Sequence, residues 1–450
     1  MHWNRIFRLS LVIVCAMLAF QLCFVPAGQA EPQYDYINIS DPFLKKIPIA
    51  VPVFKGMSDP SEEAAIAAEA TEILVNGLTF TGYFNLIDRG AYLENLQEKG
   101  ITAADLNFAN WTDIGAELLI TGGIWGHNGT VRMELRVFDT FKGELLLGKR
   151  YGGGYNDLRQ MIHRFCSDLI YRLTGKRGLF DSRIVFIGKK DGKNTIHTCD
   201  FDGNALQSVV ENEVITLFPS WSPNGRAIAY TSYAQGNPDI VIRELETGVT
   251  RRISHEGINL TPTWVPGGGG KMAATLSVDG DEEIYLLTEA GKIDRRLTDS
   301  WGIDVSPTFS PDGSQMAYVS KRAGTPQIYI KDMAGGDVRR LTFEGSYNTE
   351  PDWSPEGDRI VYSAMKGGRA DICVIGTDGE GLAQLTRDTG SNESPAWSPD
   401  GTLIVFSSTR TGKARLYVMT ASGTDQRPLL MDMAGEQILP DWSPAMSPGD

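Results

Sequence analysis

One seven-residue box constrains the fold of this 450-residue chain more than any other feature. It reads Pro351-Asp352-Trp353-Ser354-Pro355-Glu356-Gly357, and relatives of it begin at Pro219, Pro262, Pro307 and Pro395. A shortened copy, Pro440-Asp441-Trp442-Ser443-Pro444, lies close to the C-terminus. Successive boxes are about 44 residues apart, the period of a repeat architecture with one supersecondary unit per repeat. The chemistry is that of a hairpin. In Ser398-Pro399-Asp400-Gly401, Pro presets φ at one turn position and Gly supplies the left-handed conformation from which a second strand starts. The Trp, replaced by Phe309 in one copy, reads as an apolar plug at the end of a buried inner strand.

The flanks repeat too. After each turn comes an apolar run such as 360–363, then a second strand such as Ile328-Tyr329-Ile330, then a glycine turn such as Gly335. The unit ends in Arg339-Arg340-Leu341-Thr342 or a close variant. Four short strands per unit make a propeller blade. The last box has no strand after it, and the first apolar run, 183–187, has no box before it. Strands at 184–187, 195–200 and 206–210 supply what the last blade lacks. The expected fold therefore has two domains, an N-terminal α/β domain and then a six-bladed all-β propeller over 179–450. The propeller is expected to be closed by strands from both of its ends, leaving no open sheet edge.

Residues 1–30 read as a secretory signal. Arg5 and Arg8 precede an apolar run at 9–20, and Gly28-Gln29-Ala30 is a small-x-small site for cleavage between Ala30 and Glu31. A membrane anchor is the alternative, but the apolar run is shorter than a span. Residues 31–44 form a polar arm in which Tyr34, Tyr36, Ile37 and Ile39 are scattered. The α/β domain is expected over 45–175. It begins with a strand at 47–54, whose Pro48 and Pro52 suggest a sheet edge, and a helix at 61–78 with Ser61 as N-cap. A strand at 84–87, short helices near 91–98 and 111–115, and strands at 118–125, 131–138 and 144–151 follow. The helix at 155–173 carries Leu158, Ile162, Phe165, Leu169 and Leu173 on one face. Residues 175–178 form a hinge to the propeller.

Composition narrows the function. The formal charge is −14, and removing Arg5 and Arg8 with the signal takes it to −16. This argues against nucleic acid as a partner, because phosphate binding needs a basic surface. Past the signal, Cys166, Cys199 and Cys373 form no pairing pattern and read as free thiols. His127, His163, His197 and His255 show no ligand spacing, so no zinc site assembles. A propeller peptidase would carry a G-x-S-x-G elbow, and none is present. The acidic stretches 200–203 and 279–283 lack the alternating oxygen ligands of a twelve-residue calcium loop. They read as plain turns or as a weak cation site. No cofactor is expected beyond a weak divalent cation in the channel.

What remains is surface. In a four-stranded blade the loop from an outer strand to the next inner strand lies at the mouth of the central channel, and the box turns lie on the opposite face. The mouth loops are polar and acidic: Asn259-Leu260-Thr261, Asp304-Val305-Ser306, Tyr347-Asn348-Thr349-Glu350 and Ser391-Asn392-Glu393. A ring of such loops without catalytic groups more often holds a protein partner than a substrate.

Signal, arm, the strand Lys46-Ile47-Pro48-Ile49-Ala50-Val51-Pro52-Val53-Phe54, α/β domain and box-bearing blades occur in one order. In that order the whole chain resembles the TolB family, periplasmic propeller proteins of the Tol-Pal cell-envelope system. Leu173-Thr174-Gly175 leading into Arg183-Ile184-Val185, and Asn348-Thr349-Glu350-Pro351, carry the same resemblance. The arm and the 258–261 loop depart from the family pattern. The resemblance implies a non-enzymatic periplasmic protein, monomeric alone and held at the outer membrane through the lipoprotein Pal. The resemblance further implies a role in outer-membrane integrity and envelope constriction at division. Pal is implied at the channel mouth (Asn259, Leu260, Thr261, Asp304, Val305, Tyr347, Asn348, Thr349, Glu350, Ser391, Asn392, Glu393), and TolA on the arm (Tyr34, Tyr36, Ile37, Ile39). The alternatives are a metal-dependent propeller hydrolase or lactonase and a generic secreted scaffold.

Overall fold

The structure is a computed structural model that describes residues 46–58, 60–211 and 215–446, the side chains of 60–62 excepted. The expected signal with its Ala30 and Glu31 cleavage site, the arm with Tyr34, Tyr36, Ile37 and Ile39, and the Ser61 cap lie outside the described residues.

The α/β domain is a mixed sheet with cover on both faces. In chain order its strands are β1 (Ile47–Ala50), β2 (Lys55–Gly56), β3 (Phe84–Leu86), β4 (Leu118–His127), β5 (Thr130–Asp139) and β6 (Glu144–Gly154). Its helices are α1 (Pro60–Thr81), α2 (Phe108–Asp113) and α3 (Leu158–Thr174). The strand order is β3-β1-β4-β5-β6, with β2 on β4. Leu74 and Leu78 of α1 and Ile162, Phe165 and Leu169 of α3 pack on Val131, Met133 and Leu135 of β5. On the other face Trp111 and Leu96 pack on Leu119 and Phe138. Helix α3 ends where Gly175 turns left-handed (φ 73°) and returns its N–H to the Tyr171 carbonyl. The edge position expected for β1 is overturned, because β1 pairs in parallel with both β3 and β4. Ile47 and Ile49 bond toward β3, and Pro48 offers its carbonyl to the Glu117 N–H on the other side. The ring of Pro48 therefore costs a single donor, and Pro52 falls beyond the strand.

The propeller is six four-stranded antiparallel sheets. The inner strands are Thr216–Trp221, Asn259–Trp264, Asp304–Phe309, Tyr347–Trp353, Asn392–Trp397 and Glu436–Trp442, which we number as blades one to six. In the sixth sheet Glu436–Trp442 pairs with Arg183–Lys190, followed by Lys193–Asp200 and Gln207–Val210. The expectation of a ring closed by strand pairing, with no open edge, is corrected. Among the described residues no strand of one blade pairs with a strand of the next, so each sheet keeps an unpaired inner and outer edge. The reason is orientation. Blades meet face to face, while strand N–H and C=O groups lie in the plane of each sheet, so side chains and single loop contacts, such as the Asp304 N–H on the Glu282 carbonyl at 2.8 Å, do the joining. Apolar clusters straddle neighbouring blades, such as Ala229 and Ile240 with Met272 and Ala274. Polar ties add to them, among them Thr263 Oγ1 donating to the Pro307 carbonyl at 2.8 Å, Asp352 accepting the Trp397 N–H at 2.7 Å, and Asp441 accepting the Trp221 N–H at 2.8 Å.

The α/β domain rests on the box-turn face of blades four to six. Phe80 and Phe180 stack edge-on against Phe201 at 5.2 and 5.0 Å, and the Arg427 guanidinium lies 4.3 Å above the Phe80 ring. Lys176 reaches Glu356 of a box at 2.8 Å, and Arg159 pairs with Asp202. The opposite face, at the channel mouth, carries no domain among the described residues.

Candidate partner face and central channel

Every inner strand is kinked at the same place. The residue before the box proline has a left-handed φ in all six blades: Phe218 (52°), Thr261 (46°), Ser306 (55°), Glu350 (53°), Ser394 (55°) and Leu439 (52°). The ladder shifts register there, for example between Thr349 and Asp352, which is a bulge with a strained residue in it. The proline belongs at such a bulge because its missing N–H loses no ladder bond. These X-Pro pieces turn inward and line a narrow channel cavity of about 150 Å³. The sequence carried this signal as the invariant proline of the box, which reads equally well as the flank of a turn.

Among the described residues, three carboxylates face the channel. Glu350 accepts the Ser363 and Ser394 hydroxyls and the Ser394 N–H at 2.8–2.9 Å. Burial pushes its carboxyl above the ordinary value against those hydrogen bonds. Asp352 is pushed up to about 6 by burial. Asp441 is pushed up to about 8, by burial first, with the charge of Asp352 adding to it. Both keep some open surface on the channel, but its narrow bore leaves them little water.

The twelve mouth residues fall into three groups: buried, half-buried and exposed. Asn259, Asp304, Asn348 and Asn392 are fully buried. Asn259 exchanges hydrogen bonds with the His255 backbone at 2.9 Å. Asp304 takes Arg322 at 2.9 Å, Asn348 donates to Gln327 at 2.9 Å, and Asn392 donates to Asp371 at 3.3 Å. Thr261 is buried against Thr275. Leu260, Val305, Thr349, Glu350 and Ser391 are half-buried, and Tyr347 and Glu393 are exposed. Two residues that sequence reading missed stand out on the same face: Trp301 is 82 % exposed and Phe343 72 %. They lie on the outer-to-inner loops entering blades three and four, where nothing in the repeat requires an aromatic.

The acidic stretches are engaged internally. Glu283 pairs with Arg296, Asp279 accepts the Tyr285 hydroxyl, and Asp200 and Asp202 hold Arg159. His163 is enclosed by Phe180 and Phe201, His197 stacks on Phe186, and His255 meets the Gly291 carbonyl. Among the described residues no group of three or more His, Cys, Asp or Glu is placed to hold a metal ion. Cys166, Cys199 and Cys373 are free and buried.

The family profile of the TolB beta propeller domain matches residues 170–446, and that of the TolB amino-terminal domain matches 35–146. A Tol-Pal system protein TolB of Desulfosudis oleivorans is 53% identical over 286 residues, 64% of this chain and 65% of that protein, so the match spans just under two thirds of the relative's length. A TolB homolog of Chlorobium chlorochromatii is 42% identical over 312 residues, 69% of each chain. The crystal structure of TolB from Acinetobacter baumannii superposes with a TM-score of 0.78 at 25% identity, covering 89% of this chain and 97% of that one. The chain belongs to the TolB family.

Proposed function

We propose that this chain is a non-enzymatic interaction protein of the periplasm in a Tol-Pal-type envelope system. In this reading Pal docks on the channel mouth and TolA takes the arm at Tyr34, Tyr36, Ile37 and Ile39, so that the protein supports envelope integrity and constriction. Residues 45–175 and 179–450 act as its two modules. The observation that carries the reading is the asymmetry of the propeller. Its box-turn face holds the α/β domain, while its mouth face, uncovered by any domain among the described residues, bears Trp301, Phe343, Tyr347 and Glu393. Exposed large aromatics ringed by polar groups are the usual anchors of a protein interface, and the name of the Desulfosudis relative supplies the system.

Calorimetry of the purified protein against the soluble domain of Pal tests this. Trp301→Ala and Glu393→Lys are expected to weaken binding tenfold or more, a loss of about 1.4 kcal/mol or above, with an unchanged melting temperature. Asp312→Lys, on the exposed box-turn side, is expected to leave binding intact. The reverse pattern would assign the wrong face. Deleting 31–44 is expected to remove TolA binding and keep Pal binding; TolA affinity unchanged by the deletion would remove the arm from the scheme.

A further inference from the structure

The α/β sheet leaves one edge and part of one face uncovered. Strand β6 ends the order β3-β1-β4-β5-β6, so among the described residues its outer row of N–H and C=O groups has no strand partner along eleven residues. Val131, Met133 and Leu135 of β5 point to α1 and α3, so Arg132 and Glu134 point to the opposite face. Register there aligns Gly123 with Glu134 and Arg150, and Trp125 with Arg132 and Gly152. The cover on this face stops early. The Ile101 side chain closes over Gly123 and its carbonyl takes Arg136 at 3.4 Å. Past it lies a trough of about 760 Å³ lined by Trp125, His127, Arg132, Glu134 and Arg150.

The charge of this trough is reversed against the rest of the chain. Among the described residues that line it, Glu134 is the one carboxylate, and it is bound by both Arg136 and Arg150. Arg150 remains 80% exposed, and Arg132 has no ion partner among the described residues. Around this surface the formal charge of the whole chain is −14. Glycine opens the way from Arg132 to the edge. Gly152, opposite Arg132 on β6, has no side chain, and a Cβ built there would meet Arg132 Cγ at 3.8 Å. The guanidinium can therefore extend across β6 to whatever lies beside it. Gly148 leaves the backbone equally bare two residues before Arg150.

We propose that the β6 edge and this trough bind an acidic peptide in extended conformation. The peptide adds as a strand beside β6, satisfying the free backbone row, and lays carboxylates from one face against Arg132 and Arg150, which suit them by their forked donors. The site is separate from the channel mouth and does not depend on the Pal reading.

The probe is a fluorescein-labelled octapeptide of alternating valine and glutamate, titrated into the full-length protein by anisotropy. Its alternating valine-glutamine and valine-lysine counterparts and short polyglutamate are the comparisons. Saturable binding of the acidic strand peptide is expected, at least tenfold tighter than the glutamine peptide and than polyglutamate. Arg132→Ala with Arg150→Ala is expected to lower that affinity tenfold or more. Gly152→Val, which blocks the path of Arg132 and removes no charge, is expected to do the same, and Arg251→Ala on the propeller rim is expected to leave it unchanged. Circular dichroism confirms that each variant is folded. Absence of saturable binding, equal binding of the glutamine peptide, or binding indifferent to both trough variants would overturn the site. Polyglutamate binding as tightly as the strand peptide would overturn strand addition.

Discussion

Thr342 shows how a residue that closes one repeat also fastens the next. Its hydroxyl accepts the Ile328 N–H at 2.9 Å and donates to Gln327 at 2.8 Å, and Asn348 of the following blade brings its amide onto the same Gln327 oxygen. Thr386, Asp371 and Asn392 repeat the clasp one blade on. This is why Asn348 and Asn392, polar residues in an expected surface loop, are buried. Composition shows that such a residue is polar; it does not show whether a partner for it waits inside. Thr342→Val keeps the shape and strands the buried Gln327 and Ile328 groups, so a loss of about 1–3 kcal/mol is expected, read from the denaturant midpoint. Thr342→Ser is expected to recover most of it, and Pal binding is expected to be unaffected by either.

At the scale of the strand and turn, most of the architecture was legible because hairpin chemistry is local. The boxes, the glycine turns and the strands between them follow from Pro, Gly and alternating apolar residues. The amphipathic stripe of α3 did too, with Leu158, Ile162, Phe165 and Leu169 buried. What was not legible depended on neighbours distant in sequence. Pro48 was read as an edge marker, yet parallel pairing lets β1 sit centrally at the loss of one donor. The kink at Glu350 and its five equivalents turns a residue inward that a regular strand would place elsewhere. It also puts the strain where ordinary residues, not glycines, occupy left-handed space. Glycine is required elsewhere, and two turns separate its reasons. At Gly435 (φ 89°) a Cβ would lie 2.5 Å from the Lys189 carbonyl, whereas at Gly412 (φ 97°) it would meet nothing within 4 Å. Gly412→Ala is therefore expected to cost only the backbone term of about 1–2 kcal/mol. Gly435→Ala must also displace Lys189 on the paired strand and is expected to cost more. Thermal melts of the two variants should rank in that order; equal losses would show that the Lys189 contact is immaterial.

For the whole molecule, repetition gave blade number and domain order, while the division of labour between faces needed the coordinates, because no local pattern says where a second domain lands. Ring integrity is likewise a matter of contacts between blades rather than of any one sheet. With no strand pairing between blades among the described residues, the Asp441 carboxylate on the Trp221 N–H is, with the Asn194–Thr216 bonds, one of the polar ties joining the sixth blade to the first. The Asp441 carboxyl is held at about 8 by burial, with Asp352 at about 6. A carboxyl whose pKa is raised by folding binds its proton more tightly in the native state. Its contribution is complete below the ordinary carboxylate range near pH 4 and is lost as pH rises through the folded value. Between those limits one such proton changes stability by about 1.4 kcal/mol per pH unit. Asp441→Asn keeps an oxygen to accept the Trp221 N–H and carries no charge at any pH. The variant is expected to show a flatter decline in unfolding free energy from pH 5 to 8 than the wild type, and to be the more stable of the two at pH 8. Urea unfolding of both proteins at half-unit pH steps measures this, since groups common to both cancel in the difference. Parallel curves across that window would mean that the Asp441 carboxyl is ionised in the native channel throughout.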